Sequence, residues 1–99
     1  MNISTIKNGD KTTLALSGRL NTLTAPQLHE VIVAEFDSAK HVELDFAELA
    51  FISSAGLRVL ILGRETAKAK DGQFTIIHVS EAIMEVFEMA GVTNVLSIG

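Results

Sequence analysis

The hydrophobic period of this chain switches between two values along its length. In VELDF, Val42, Leu44 and Phe46 alternate with Glu43 and Asp45, the period of two of a strand buried on one face. Earlier, Leu28, Val31, Ile32 and Phe36 recur at helical spacing and mark one buried helix face. Turn and cap residues separate such runs about every ten to fifteen residues. Ile3 to Lys7 and Thr12 to Ser17 read as strands around Asn8-Gly9-Asp10, a hairpin signal because Asn-Gly readily takes positive φ. A helix is predicted over Thr24–Phe36. Thr24 and Gln27 have capping-box spacing, and Pro26 is tolerated in the first turn. A second helix is predicted over Ser54–Lys70, with Ser54 as N-cap and Gly72 as the C′ residue. Phe74 to Val79 is strongly β-forming, Ser80 caps a third helix that Gly91 stops, and Val95 to Ile98 reads as a last strand. The order β-β-α-β-α-β-α-β implies an α/β fold, one domain over residues 1–99, with helices packed on a mixed sheet that is partly parallel.

Composition narrows the function. Ninety-nine residues with 47% apolar and 5% aromatic content allow one aliphatic core. The absence of cysteine excludes disulfides and thiol chemistry. The start, MNISTIKNGD, has neither the basic nor the apolar region of a signal peptide, and the longest apolar run, VLIL, is far too short to span a bilayer. These features predict a cytoplasmic protein. With a net charge of −4 and scattered basic residues, Lys68 and Lys70 being the nearest approach to a patch, nucleic-acid binding is disfavoured. His29, His41 and His78 have no metal-ligand spacing and no triad order, so they read as surface or strand-end residues. No phosphate-cradling GxxxxGK[ST] or GxGxxG loop occurs. No cofactor or metal is expected, and no catalytic residue.

One stretch stands apart. FISSAGL, residues 51 to 57, places small uncharged residues between two apolar runs, at the carboxyl end of a predicted strand, where ligands gather in α/β folds. With Ser54 as N-cap, the N–H groups of Ala55, Gly56 and Leu57 lack helical partners and carry the positive end of the helix dipole. A serine hydroxyl satisfies one of them, and a phosphate on the same oxygen would satisfy more. Gly56 costs about 1 kcal/mol of helix propensity against alanine, which suggests a close approach to the backbone. Ser-x-Gly is also an ordinary capping arrangement, and spacing alone leaves that structural reading open. Asp45 and Glu48 flank the loop, but paired carboxylates are frequent in an acidic chain. A nucleophilic serine is disfavoured because no base is in view.

The string FISSAGLRVLILG, its upstream strand VELDF and the earlier GRLNTLTAPQL together resemble the STAS domain of anti-sigma-factor antagonists, over essentially the whole chain. By this resemblance the phosphorylated residue falls on Ser54, with Ser53 as second choice. The partner surface would be formed by Asn21, Thr22, Ser53, Ala55, Gly56, Leu57 and Arg58, although Leu57, like Leu60 and Ile61, is also a natural core residue. The resemblance implies a protein that is not an enzyme. Unphosphorylated and monomeric when free, it captures an anti-sigma factor that is also a GHKL-type serine kinase, and so releases a sigma factor. A PP2C-type phosphatase restores the binding form, and ATP and Mg²⁺ belong to the kinase.

Two positions depart from the common family pattern. Ser53 and Asn21 stand where many members carry Asp, so the site is less acidic than usual. Incoming phosphate meets less repulsion there, or else a kinase that reads those acids recognises the chain poorly. The alternative function is that of a STAS accessory subunit in a lipid- or anion-transport complex, acting without phosphorylation. Because both loops follow strands and precede helices, the turn at Asn21–Thr22 is expected beside Ser54.

Overall fold

A computed structural model describes residues 1–98. The elements are β1 (Asn2–Asn8), β2 (Lys11–Leu20), α1 (Ala25–Glu35), β3 (His41–Ile52), α2 (Ser54–Ala69), β4 (Gln73–Ile77), α3 (Glu81–Ala90) and β5 (Ser97–Ile98). The α/β order matches the one predicted. The strands form one sheet in sequence order, β1-β2-β3-β4-β5. The β1–β2 pair is antiparallel and the other three pairs are parallel. Gly9 takes φ 64 in the hairpin while Asn8 stays in the strand opposite Lys11, the pattern of a two-residue loop with glycine first.

The register divides the sheet into two faces. The rows Thr12–Val42–Phe74 and Leu14–Leu44–Ile76 are buried. The alternate rows Lys11–His41–Gln73 and Thr13–Glu43–Thr75 are only partly covered. Leu28 and Ile32 of α1, Leu57 and Leu60 of α2 and Ile83 and Phe87 of α3 all join the core on the first face. There the rings of Phe46 and Phe87 lie 6.5 Å apart. Successive right-handed crossovers moving one way along a sheet place their helices on one side, so the second face meets water. It carries cross-strand polar pairs instead: Thr13 donates to Glu43 at 3.1 Å, Lys11 meets Glu43 at 3.1 Å, and His41 contacts Thr75 at 2.8 Å.

Several boundaries differ from the sequence expectations, each for a local reason. β3 runs six residues beyond Phe46, because its register against β2 slips twice. Past each bulge the buried positions fall three apart, at Phe46, Leu49 and Ile52, and a search for period two stops early. No capping box forms at Thr24. Its backbone is already helical, and its hydroxyl donates to the Arg19 carbonyl at 2.8 Å. Helix α2 ends in a Schellman turn: Asp71 takes φ 56, and the Gly72 N–H donates to the Ala67 carbonyl at 2.7 Å. Gly72 is therefore one residue beyond C′, and glycine is needed there because a Cβ would lie 2.5 Å from the Lys40 carbonyl oxygen. β4 stops at Ile77 because His78 turns into the left-handed region at φ 58. Ser80 and Gly91 bound α3 as expected; the Ser80 hydroxyl accepts the Ile83 N–H at 3.3 Å. Val95 and Leu96 are still in the turn before β5. Among the described residues no helix is long and apolar enough to cross a membrane.

Gly63 lets α2 approach the sheet, since a Cβ there would stand 2.8 Å from Phe74 Cζ. The Phe74 ring is buried and packs on Phe36 at 6.5 Å between centroids, so its retreat would disturb that pair. Gly63→Ala should therefore lose about 1 kcal/mol or more in urea unfolding, despite gaining about 1 kcal/mol of helix propensity. A variant more stable than the parent would show that the ring relaxes freely.

Candidate functional site

β2 and β3 stay paired to their last residues, Arg19 with Phe51 and Leu20 with Ile52. The Ser53 N–H then donates to the Leu20 carbonyl at 2.9 Å, extending the ladder one step into the next segment. Both strands thus release their loops side by side, and the Asn21–Thr22 turn and the Ser53–Ser54 pair share one end of the sheet. Asn21 builds its own turn: its Oδ1 accepts the N–H groups of Leu23 at 3.0 Å and Thr24 at 3.2 Å, and its carbonyl accepts that of Ala25 at 2.8 Å. An aspartate could accept the same bonds, so asparagine preserves the turn while removing a charge.

The two serines have different roles. Ser53 is still extended at φ −101 and ψ 175, held by its bond to β2, and its hydroxyl accepts the Gly56 N–H at 3.3 Å. Ser53 is therefore the N-cap, correcting the expectation for Ser54. Ser54, Ala55 and Gly56 occupy N1 to N3. Ser54 is exposed, and its hydroxyl makes no hydrogen bond among the described residues. Its N–H and that of Ala55 likewise find no acceptor there, as the first turn of a helix requires.

Gly56 is explained by the chain itself. A Cβ at this position would lie 2.8 Å from both Ile52 Cγ1 and Leu20 Cγ. The close approach inferred from sequence comes from the two strand ends, so Gly56 fixes the helix start against the sheet. Gly56 and Leu57 face the core, whereas Thr22, Ser54 and Arg58 are exposed, and Asn21, Ser53 and Ala55 are half-buried. Three further residues at this end escaped the sequence reading. Leu23 is 89% exposed, and Phe51 is 37% exposed with the Arg19 guanidinium carbon 4.2 Å above its ring. The signal for Phe51 was the three-residue apolar period after Phe46, which turns it outward.

Asp45 does not flank the serines. It lies on the water-facing side of the sheet, in register with Ala15 and Ile77, well before β3 ends. One carboxylate oxygen accepts the Ala47 N–H at 2.9 Å and contacts His78 Nδ1 at 2.8 Å. Partial burial pushes this carboxyl up, but the Ala47 N–H and His78 together hold it below the usual aspartate value. Among the described residues no cluster of His, Asp or Glu is arranged to hold a metal ion.

Comparison with known proteins places the chain in a family. The profile of a family described as "Mlab, STAS domain" matches residues 3–97. The chain belongs to the STAS-domain family of anti-sigma-factor antagonists. BtrV of Bordetella bronchiseptica, a candidate anti-sigma factor antagonist, is 32% identical over 84% of this STAS chain and 72% of its own. The anti-sigma-B factor antagonist of Staphylococcus epidermidis is 27% identical over 99% of this chain and 92% of its own. Among solved structures, the fold is similar to the Bacillus antagonist SpoIIAA at 15–16% identity. Its unphosphorylated form matches with a TM-score of 0.78 and its phosphorylated form with 0.77, over 99% of this chain and 87% and 91% of theirs.

Two predictions separate the roles of these residues in the STAS domain. Ser53→Ala removes the cap and should cost about 1 kcal/mol in chemical denaturation, while Ser54→Ala should stay within about 0.5 kcal/mol of the parent. Equal losses would refute the division of roles. The Asp45 carboxyl ionises at lower pH in the folded state, so its stabilisation is complete above the ordinary aspartate range and disappears as pH falls through its lowered value. Asp45→Asn should therefore be less stable than the parent at neutral pH and converge with it in acid. A gap that persists at low pH would assign the loss to something other than ionisation.

Proposed function

We propose that this chain is a phospho-switchable anti-sigma-factor antagonist that acts by binding and not by catalysis. The reading rests above all on the state of Ser54: an exposed hydroxyl free of internal hydrogen bonds, beside a serine that already caps the helix. In the unphosphorylated state the monomer captures an anti-sigma factor of the GHKL serine-kinase type in the cytoplasm and so releases the sigma factor. The partner contacts the exposed rim around Thr22, Ser54 and Arg58, supported by Asn21, Ser53 and Ala55, while Gly56 and Leu57 hold the helix start in position. The kinase brings ATP and Mg²⁺, and a PP2C-type phosphatase reverses the modification.

Phosphate acts locally in this scheme. It adds about −1.5 to −2 charge at a helix start with unpaired N–H groups, where it fits without unfolding anything. Burying that charge against a partner without a cation costs several kcal/mol, and 1.4 kcal/mol is tenfold in affinity. The chain's similar match to both forms of SpoIIAA supports a fold compatible with either state. A second reading, as accessory subunit of a lipid- or anion-transport complex, is favoured by one observation, the likeness of the fold to a small part of the solved murine anion transporter Slc26a9.

Incubation with the cognate anti-sigma kinase and ATP should add one phosphate at Ser54, read by intact mass and fragmentation. Affinity for that partner should fall by at least about two orders of magnitude, with backbone chemical shifts changing only around Asn21–Thr22 and the start of α2. Ser54→Ala should still bind and resist the switch. Shift changes spreading to α3 would refute the local block. Recovery of transporter subunits alone in a pull-down from the native host would favour the second reading.

A further inference from the structure

In the unmodified chain Arg58 lacks an acidic partner. Of the eight Lys and Arg side chains, Lys7, Lys11, Arg64 and Lys70 each meet a carboxylate at 3.1–3.6 Å, Arg19 stacks on Phe51, and Lys40 and Lys68, both far from the serines in sequence, share with Arg58 the lack of an ion pair among the described residues. Arg58 is exposed and forms no ion pair among the described residues. On a helix its neighbours are the residues three and four away: Ser54, Ala55, Ile61 and Leu62. None is acidic. The first turn of α2 has no acid either, so a cation sits near the positive end of the helix dipole with no carboxylate on its own helix turn to offset it.

We propose that Arg58 is the receptor for a phosphate on Ser54, forming an intrahelical ion pair that exists only in the modified protein. The inference rests on the reading of Ser54 as the phosphorylated residue. Ser54 and Arg58 stand at i and i+4 on the exposed side of α2, with the anion toward the N-terminus, the favourable orientation for such pairs. Side chains at this spacing start about 5–6 Å apart at Cβ, and the planar guanidinium fork can donate two hydrogen bonds to one phosphate. Ser53 lies five residues before Arg58 and its hydroxyl is committed to the Gly56 N–H, so a phosphate there lacks the matched spacing. Modification of Ser54 then changes two charges on the partner surface. It adds an anion and withdraws the cation that an unphosphorylated domain offers to an acidic patch.

The test installs phosphoserine at position 54 during synthesis, which removes any dependence on a kinase. The second phosphate ionisation is followed by ³¹P NMR in the phosphorylated parent and in its Arg58→Gln variant. The ordinary value is about 6, and pairing with Arg58 should hold it about 0.4 unit lower in the parent than in the variant, with Arg58→Lys between them. The helix dipole and the charged groups of the flanking elements, Arg19 on β2, Glu48 on β3 and His29 and Glu30 on α1, are common to all three proteins. The difference therefore isolates residue 58, and it should shrink with added salt. Phosphoserine at position 53 should show no dependence on Arg58. Equal ionisation in the parent and Arg58→Gln proteins, or equal dependence from position 53, overturns the assignment. Failure of a kinase to modify Ser54 would overturn the switch function while leaving this titration unaffected.

Discussion

The parallel ladder between β2 and β3 is the constraint on which the rest of the site depends. It persists through two bulges to Leu20 and Ile52, and the Ser53 N–H adds one bond beyond them. Leu20 and Ile52 are both buried, and together they form the floor on which the first turn of α2 rests. Gly56 is the residue that lets the helix sit so low. A longer loop, or a side chain at that glycine, would lift the serines away from the Asn21 turn. The exposed rim is therefore produced by strand pairing and close packing, two interactions internal to the domain.

The same geometry divides labour between neighbouring residues. The cap role falls to Ser53 because its N–H is still engaged with the sheet, which keeps its backbone extended. Ser54 enters the helix and its hydroxyl is released toward solvent. Adjacent serines thus differ in availability through backbone conformation alone. The opposite face of the sheet follows another logic. Parallel strands are usually covered on both sides, and here the uncovered face is lined with cross-strand polar pairs such as Thr13 with Glu43 and His41 with Thr75. Those pairs satisfy polar groups that a second helical layer would have had to bury.

Much of this was legible in the sequence. Alternation in VELDF, helical spacing from Leu28 to Phe36, and the signals at Asn8-Gly9, Ser80 and Gly91 sufficed for element order and for the pairing of the two loops at one sheet end. What stayed hidden depends on contacts between distant segments. The N-cap register could not be decided between two adjacent serines, because the deciding bond goes to Leu20 in another strand. The length of β3 was concealed by bulges that break its period. The reason for Gly56 required knowing what lies beneath it, and Asp45 looked close to the serines only because the strand between them was read as ending early.

The sheet has one further property: its order in space repeats its order in the chain. Each strand pairs with the one made just before it, across a hairpin or a single helix. Loop-closure entropy is therefore small at every step, and each contact is available soon after its residues exist. The domain, which folds as a unit, therefore needs no pairing between strands that are remote in the element order. The β2–β3 ladder that carries both loops closes across α1 alone, so the pairing that sets the serines beside the Asn21 turn is contained within residues 11–53 and involves no residue of β4, α3 or β5.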